Sequence, residues 1–410
     1  MYFFVVNCPF LTDIVIINFE RQSRPIPDNR RRNVTLTPND TRLLTPGPLT
    51  TSHETKEAML HDWGSRDQAF IDTTARVRQK LLEIANATET HVCVPLQGSG
   101  TFVVEAALCT LIPRDGKALI LINGAYGKRM TKILDYVNRA YIIQETLEDT
   151  PPDIAALEAA LKADSAITHV LIIHCETTSG ILNPIREVAD VVKAHGRSFI
   201  IDAMSAFGAV PLDASEVHFD AMMASSNKCL EGVPGIGFAI IREETLKTCE
   251  GNAHSLSLDL YDQWVAMEAT AQWRFTPPIH VIVAFDKAIE QFEAEGGVAA
   301  RGARYGENCR ILIDGMAELG FETLLSHNLQ APIIVTFKMP ADPAFDFQVF
   351  YDRVKNAGYV LYPGKLTVAP SFRIGCIGHL GNDDIRAALK VMQGILKDMG
   401  VSNGAPAEAT

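Results

Sequence analysis

The sequence lacks several features that would each fix a class of protein. It has no Cys-x-x-Cys pair. Its eight cysteines, Cys8, Cys93, Cys109, Cys175, Cys229, Cys249, Cys309 and Cys376, stand singly, several of them inside apolar runs. That argues against a disulfide frame and against a zinc site, and for a reducing compartment, with the cytoplasm as the default. Positive charge is also scarce. There are 37 Lys and Arg against 49 Asp and Glu, a net charge of −12, which disfavours a general nucleic-acid or membrane surface. An anionic ligand would have to be met by a few locally placed cations. No apolar run reaches the ~20 residues of a membrane helix. Residues 1–19 are apolar, but Asn7, Pro9 and Asp13 interrupt them and no basic segment precedes them, the wrong order for a signal peptide. There is no internal repeat, heptad array or low-complexity block. The dinucleotide fingerprint is missing too, because Gly98-Ser99-Gly100 is followed by Val103 where a third glycine belongs.

What is present suits a globular enzyme. Apolar residues make up 47% and charged residues 21% of 410 positions, enough for one large domain and a smaller one. The division expected is an N-terminal extension or linker over 1–42, a large domain over 43–280, a smaller one over 281–400 and a disordered tail over 401–410. Arg21–Asn33, with five arginines and two prolines, reads as a solvated linker. Strands are predicted at Ala118–Asn123, Tyr141–Gln144, His169–His174, Ser198–Asp202 and Phe219–Ser225. Helical periods fall between them at Thr101–Leu111, Pro152–Ala163 and Pro184–Ala194. Apolar runs of five or six without alternation imply strands buried on both faces, the parallel α/β arrangement. From Val281 the texture changes to long helices (His280–Glu295, Val298–Leu319), strands at Ile333–Lys338, Tyr359–Tyr362 and Phe372–Cys376, and a last helix at Asp383–Lys397. This suits a smaller α+β domain.

In open α/β sheets, ligands collect beyond the carboxyl ends of the strands. Here those ends carry Gly98-Ser99-Gly100-Thr101, Gly124-Ala125-Tyr126, Glu176-Thr177-Thr178, Asp202 and Ser225-Ser226-Asn227-Lys228. Ser99, Gly100 and Thr101 open a helix whose free N–H groups favour an anion, although Ser99 could simply cap that helix. Asp202 could hold a pyridine nitrogen protonated or cap the next turn. Lys228 lies among Gly232, Gly235 and Gly237, and a desolvated amine there could form an imine; most lysines are only solvated surface groups. Arg373, in an apolar strand, needs an anionic partner, either a core carboxylate or a bound substrate.

Leu44-Thr45-Pro46-Gly47-Pro48, Gly98–Thr101, Asn123–Gly127, Glu176–Gly180, Ile201–Ser205 and Ser225–Lys228, in that order, resemble the class V aminotransferases of fold type I. The likeness runs from about Leu43 to Met399. It implies a large domain with a mostly parallel sheet flanked by helices, a smaller C-terminal α+β domain, and pyridoxal 5'-phosphate as cofactor, with no metal. Position by position, it implies that Lys228 holds the cofactor as a Schiff base and moves protons, and that Asp202 partners the pyridine nitrogen. Gly100 and Thr101 would bind the phosphate, with Ser99 beside them. Thr177 would meet the ring hydroxyl and Tyr126 would stack on the ring. Thr276 would reach the cofactor of a second subunit, so the working unit would be a homodimer. Arg373 would bind the substrate anion, with Thr50 and Thr51 as further candidates.

Within the class, residues 44–52, Asp62–Ser65 and Gln272–Pro278 look most like the branch that exchanges an amino group between 2-aminoethylphosphonate and pyruvate. Arg66 departs from that pattern, where a second tryptophan is expected. The rivals are a serine– or alanine–glyoxylate transaminase, a cysteine desulfurase and a non-catalytic relative. Asn227 before Lys228, and the lack of a cysteine between Cys309 and Cys376, speak against the desulfurase.

Overall fold

The unbroken apolar runs become the inner strands of a seven-stranded sheet in the computed structural model, which describes residues 41–364 and 370–407. The extension expected over 1–42 lies outside the described residues apart from Thr41 and Arg42. The strands are His91–Gly98 (β1), Lys117–Ile122 (β2), Ala140–Glu145 (β3), Ile167–Ile173 (β4), Ser198–Asp202 (β5), Ala221–Ser225 (β6) and Gly235–Arg242 (β7). They lie in the order β1-β7-β6-β5-β4-β2-β3. β7 is antiparallel to both its neighbours, and the other pairs are parallel. Two reversals cancel, so β1 also runs with the parallel set. The carboxyl ends of β1, β2, β4, β5 and β6 therefore share one edge of the sheet.

Residues along these strands alternate between two cores, as the pleat requires. Leu119, Leu121, Val170, Ile172, Phe199 and Ile201 enter one; Ala118, Ile120, Ile122, Leu171, Ile173 and Ile200 enter the other. Each large side chain so buried contributes about 1.5–3 kcal/mol relative to exposure. Helices Gly100–Leu111 (α1), Ala125–Tyr136 (α2), Ile154–Ala163 (α3) and Ile185–Ala194 (α4) follow β1, β2, β3 and the hairpin after β4. The predicted strands and helices of this region fall within three residues of these bounds. β1 and β7 were not anticipated: Pro95 and Gln97 interrupt the first, and Gly235 and Gly237 thin the second.

A second, antiparallel sheet is formed by Ile334–Lys338 (β8), Tyr362–Pro363 (β9) and Ser371–Gly375 (β10), with β10 in the middle. Its core gathers Phe337, Phe350, Phe372 and Ile374 with Leu312 and Met392 from the helices Gly297–Glu318 and Asn382–Met399. The single strand expected at Tyr359–Tyr362 is split, because Leu361 turns into this core. Tyr359–Val360 pairs instead with Arg42–Leu43. The change of domain expected at residue 280 also meets a different packing. Helix Ile279–Glu295 buries Ile282, Phe285, Ile289 and Phe292 in the first core, with the strands of the large sheet. The chain breaks after it, at Gly296 and Gly297, whose φ values of +114° and +68° favour glycine. The tail expected to be disordered is held from Val401 to Ala405, since Val401, Gly404 and Ala341 donate to the carbonyls of Leu396, Leu319 and Ala405. No described helix is long and apolar enough to cross a membrane.

Candidate active site

The shared sheet edge opens on a cavity of ≈ 460 Å³, within the usual range for a small-molecule site, roughly 300–1,000 Å³. Ser99, Gly100, Thr101, Tyr126, Thr177, Asp202 and Lys228 all line it. Seven residues chosen from strand ends far apart in the chain thus meet around one space.

Each is held there by local chemistry. Ser99 occupies the N-cap position of α1, yet its side chain makes no capping bond. Phe102 N–H turns back to the Ser99 carbonyl, which leaves the Gly100 and Thr101 N–H groups for another acceptor, and an anion is the natural one. Asp202 ends β5, and its Oδ1 accepts the Met204 N–H at 2.9 Å. It therefore does cap the following turn, and it faces the cavity as well. Burial pushes its carboxyl up to about 6; the Met204 bond opposes that shift and nearby Glu176 adds to it. Burial lowers the Lys228 amine to about 8, against the pull of Asp202 and other acidic neighbours. Lys228 Nζ donates to the Pro46 carbonyl at 2.8 Å. The loop carrying Pro46 can lie this close because Gly47 has no side chain: a Cβ there would sit 2.6 Å from Lys228 Cδ.

Glu176 organises the wall opposite. Fully buried, it accepts from the N–H groups of Tyr126, Gly127 and Thr178 and from the Thr178 hydroxyl. A carboxylate at the N-terminus of α2 suits the positive end of that helix. It holds the start of α2, and so Tyr126, against the loop that carries Thr177.

The remaining candidates do not line the cavity. Arg373 is fully buried on β10. Among the described residues neither a core carboxylate nor any other anion pairs with it. Its Nη1 donates to Thr177 O at 2.6 Å, its Nε and Nη2 donate to Pro363 O at 3.2 and 2.7 Å, and it stacks over Tyr362. Three carbonyl contacts leave its charge uncompensated, and burial accordingly lowers its pKa. Arg373 touches the site from behind, through Thr177. The Thr50 hydroxyl accepts the Leu43 N–H and so serves its own loop. Thr51 is half-buried and Thr276 is exposed. Arg129, Cys175, Met204, Ser205 and Asn227 also line the cavity; the sequence reading gave none of them a role there, although Met204, Ser205 and Asn227 fall inside its motifs. For Arg129 a signal existed: Tyr126 and Arg129 are three apart on a helix, a spacing that stacks one side chain on the other.

The profile of the class-V aminotransferases matches residues 54–368. The chain belongs to that family. It is 56% identical over 359 residues to a 2-aminoethylphosphonate–pyruvate transaminase of Burkholderia lata, covering 88% of this chain and 96% of that one. It is 55% identical over 359 residues to the enzyme of the same name from Pseudomonas fluorescens, covering 88% and 97%. Among solved structures, pyridoxamine–pyruvate aminotransferase from Mesorhizobium loti superposes with a TM-score of 0.80 at 25% identity, covering 89% of this chain and 95% of that one. Alanine–glyoxylate aminotransferase from Nostoc gives 0.82 at 18%, covering 93% and 100%, a likeness of fold alone. The protein is thus a fold type I aminotransferase that uses pyridoxal phosphate. Its cavity fits that cofactor in chemistry as well as size: it offers an uncapped helix terminus, a buried carboxylate and an amine of lowered pKa.

Proposed function

We propose that the chain transfers the amino group of 2-aminoethylphosphonate to pyruvate, yielding phosphonoacetaldehyde and L-alanine. The observation that carries this reading is the 55–56% identity to transaminases of that name along nearly their whole length. The rival desulfurase chemistry needs a presented thiol, and every described cysteine is buried.

In this reading Lys228 holds the cofactor through Nζ, and Gly100 and Thr101, with Ser99, take its phosphate. Tyr126 lies against the ring, Thr177 meets the ring hydroxyl and Asp202 meets the pyridine nitrogen. The cofactor, once bound, supplies the electron sink that lets a proton leave the carbon bearing the amine. The protein's own part is positioning and proton transfer. A free Lys228 amine with a pKa near 8 is neutral in about a tenth of molecules at pH 7, some 300-fold more than an ordinary lysine, and can take that proton at Nζ. Asp202 ionises above about pH 6, so at neutral pH it offers a negative charge to a protonated ring nitrogen. The loop at Pro46 and Gly47 lies against the amine and fixes its position through the Pro46 carbonyl.

Arg373 acts as the anion clamp for the carboxylate of pyruvate and the phosphonate of the donor. A charged oxygen is a stronger partner for its fork than the Pro363 carbonyl, so a bound anion can displace that contact. Thr50 and Thr51, which follow the loop over Lys228, are the secondary contacts. Thr276, exposed on the single chain, meets the cofactor phosphate of a second copy in a homodimer. The test is a panel of amino donors with pyruvate, scored by alanine formed. 2-Aminoethylphosphonate should lead the panel; preference for serine, or for alanine with glyoxylate, would replace this reading with the glyoxylate one.

A further inference from the structure

Arg129 is the one cation lining the cavity, besides Lys228, to which the roles above give no work. It sits in the second turn of α2, half-buried. Its guanidinium lies over the Tyr126 ring at 4.6 Å. Its Nη1 donates to the Thr101 hydroxyl at 2.9 Å. A guanidinium carries five N–H donors in a rigid fork, and this is its single hydrogen bond among the described residues. Nor does any described carboxylate pair with it, although its neighbour Lys128 is paired with Glu145. The guanidinium's donors lie in its own plane and point outward along its edge, so the ring beneath it takes none of them. One of them is already at Thr101, in the uncapped first turn of α1. The free fork and the free helix terminus therefore address the same small volume.

We infer that Arg129 is a cofactor-holding residue that pairs with the phosphate dianion of pyridoxal phosphate at the start of α1. This rests on the cavity being the cofactor site, and it adds the countercharge that the loop of Ser99, Gly100 and Thr101 lacks. A phosphate there would accept from the Thr101 hydroxyl and from the Arg129 fork together. Stacking on Tyr126 then holds the fork in place while Tyr126 itself lies against the ring. The same phosphorus oxyanion chemistry is offered by the phosphonate of the amino donor. The hydrogen bond to Thr101 at the start of α1 selects the cofactor.

The experiment compares full-length wild type with Arg129→Gln and Arg129→Lys. Cofactor-depleted protein is titrated with pyridoxal phosphate and, separately, with pyridoxal, which has no phosphate; binding is followed by absorbance. Arg129→Gln should weaken pyridoxal phosphate by about 10- to 100-fold, the usual loss for a hydrogen-bonded charge pair. Pyridoxal should bind all three proteins equally, and Arg129→Lys should recover part of the loss. Equal weakening of both ligands would overturn the inference, since Arg129 would then only brace Tyr126. Unchanged binding of both would overturn it as well. If binding is intact but KM for the amino donor rises while that for pyruvate does not, the phosphonate is the partner and the assignment to the cofactor fails. The binding titration needs no amino donor, so its result is independent of the donor panel.

Discussion

Replacing Asp202 with asparagine should make the cofactor-free protein more stable and the enzyme far slower. The carboxyl is buried beside the cavity, and burial raises its pKa from 3.8 to about 6. The folded state therefore binds a proton more readily than the unfolded chain. Its contribution to stability is full below pH 3.8 and is lost as the pH rises through about 6. A rise of that size, at roughly 1.4 kcal/mol for each tenfold change in proton affinity, is worth about 3 kcal/mol. Asparagine does not titrate, and its side-chain oxygen can still accept the Met204 N–H. The ionised carboxylate does support the Lys228 ammonium, which trims the gain. Urea unfolding of both cofactor-free proteins at about pH 4 and about pH 8 should show a gap that opens with pH to about 2–3 kcal/mol in favour of Asp202→Asn. Activity should fall by about a hundred- to a thousand-fold, the usual cost of losing an aimed charge. A gap that does not grow with pH would refute the burial argument. Activity within about threefold of wild type would leave Asp202 only the capping role, since so small a loss is far below that of an aimed charge.

Gly47→Ala forces a Cβ to within 2.6–2.9 Å of Lys228 Cδ, Nζ and Cε at a φ of +125°. It should cost about 1–3 kcal/mol of backbone strain and displace the amine, read as a lower Tm and poor cofactor retention; retention equal to wild type would show that the loop does not seat Lys228. Glu231 takes hydrogen bonds from Arg304 at 2.7 Å and from the Tyr305 hydroxyl at 2.6 Å. Glu231→Gln should therefore destabilise the protein by about 3 kcal/mol in urea, as breaking a buried ion pair does; a loss under about 1 kcal/mol, typical of an exposed pair, would contradict that. Arg373→Lys keeps the charge and loses the fork, so single-turnover rates of both half-reactions should drop. A pyruvate half-reaction that runs unchanged would remove Arg373 from the clamp role.

Much of this molecule was legible in the sequence because its decisive features are local. Strands buried on both faces are written as unbroken apolar runs, and those of the large sheet were read to within three residues wherever the run was whole. The ends of such strands are where a parallel sheet collects ligands, so Asp202 at the end of Ile-Ile-Asp and Lys228 just beyond Ala-Ser-Ser could be chosen before any contact was known. Where glycine or proline breaks the run, as in β1 and β7, the pattern went silent, although β7 pairs on both sides and β1 leads into Ser99, Gly100 and Thr101 at the cavity.

The partners of the chosen residues belong to tertiary structure alone. No spacing announces that the carbonyl receiving the Lys228 amine is 182 residues away, at Pro46. The Arg373 partner was open between a carboxylate and a substrate, and the fold supplies neither but the carbonyls of Thr177 and Pro363. Glu176 reads as one polar residue in a motif whose neighbour Thr178 supplies an N–H and a hydroxyl, until the packing of α2 beside it adds the N–H groups of Tyr126 and Gly127. The physical reason is the same in each case. Periodicity encodes which face of an element is buried, whereas hydrogen bonds and pKa shifts depend on which distant atoms share that burial, and only the folded chain brings those together.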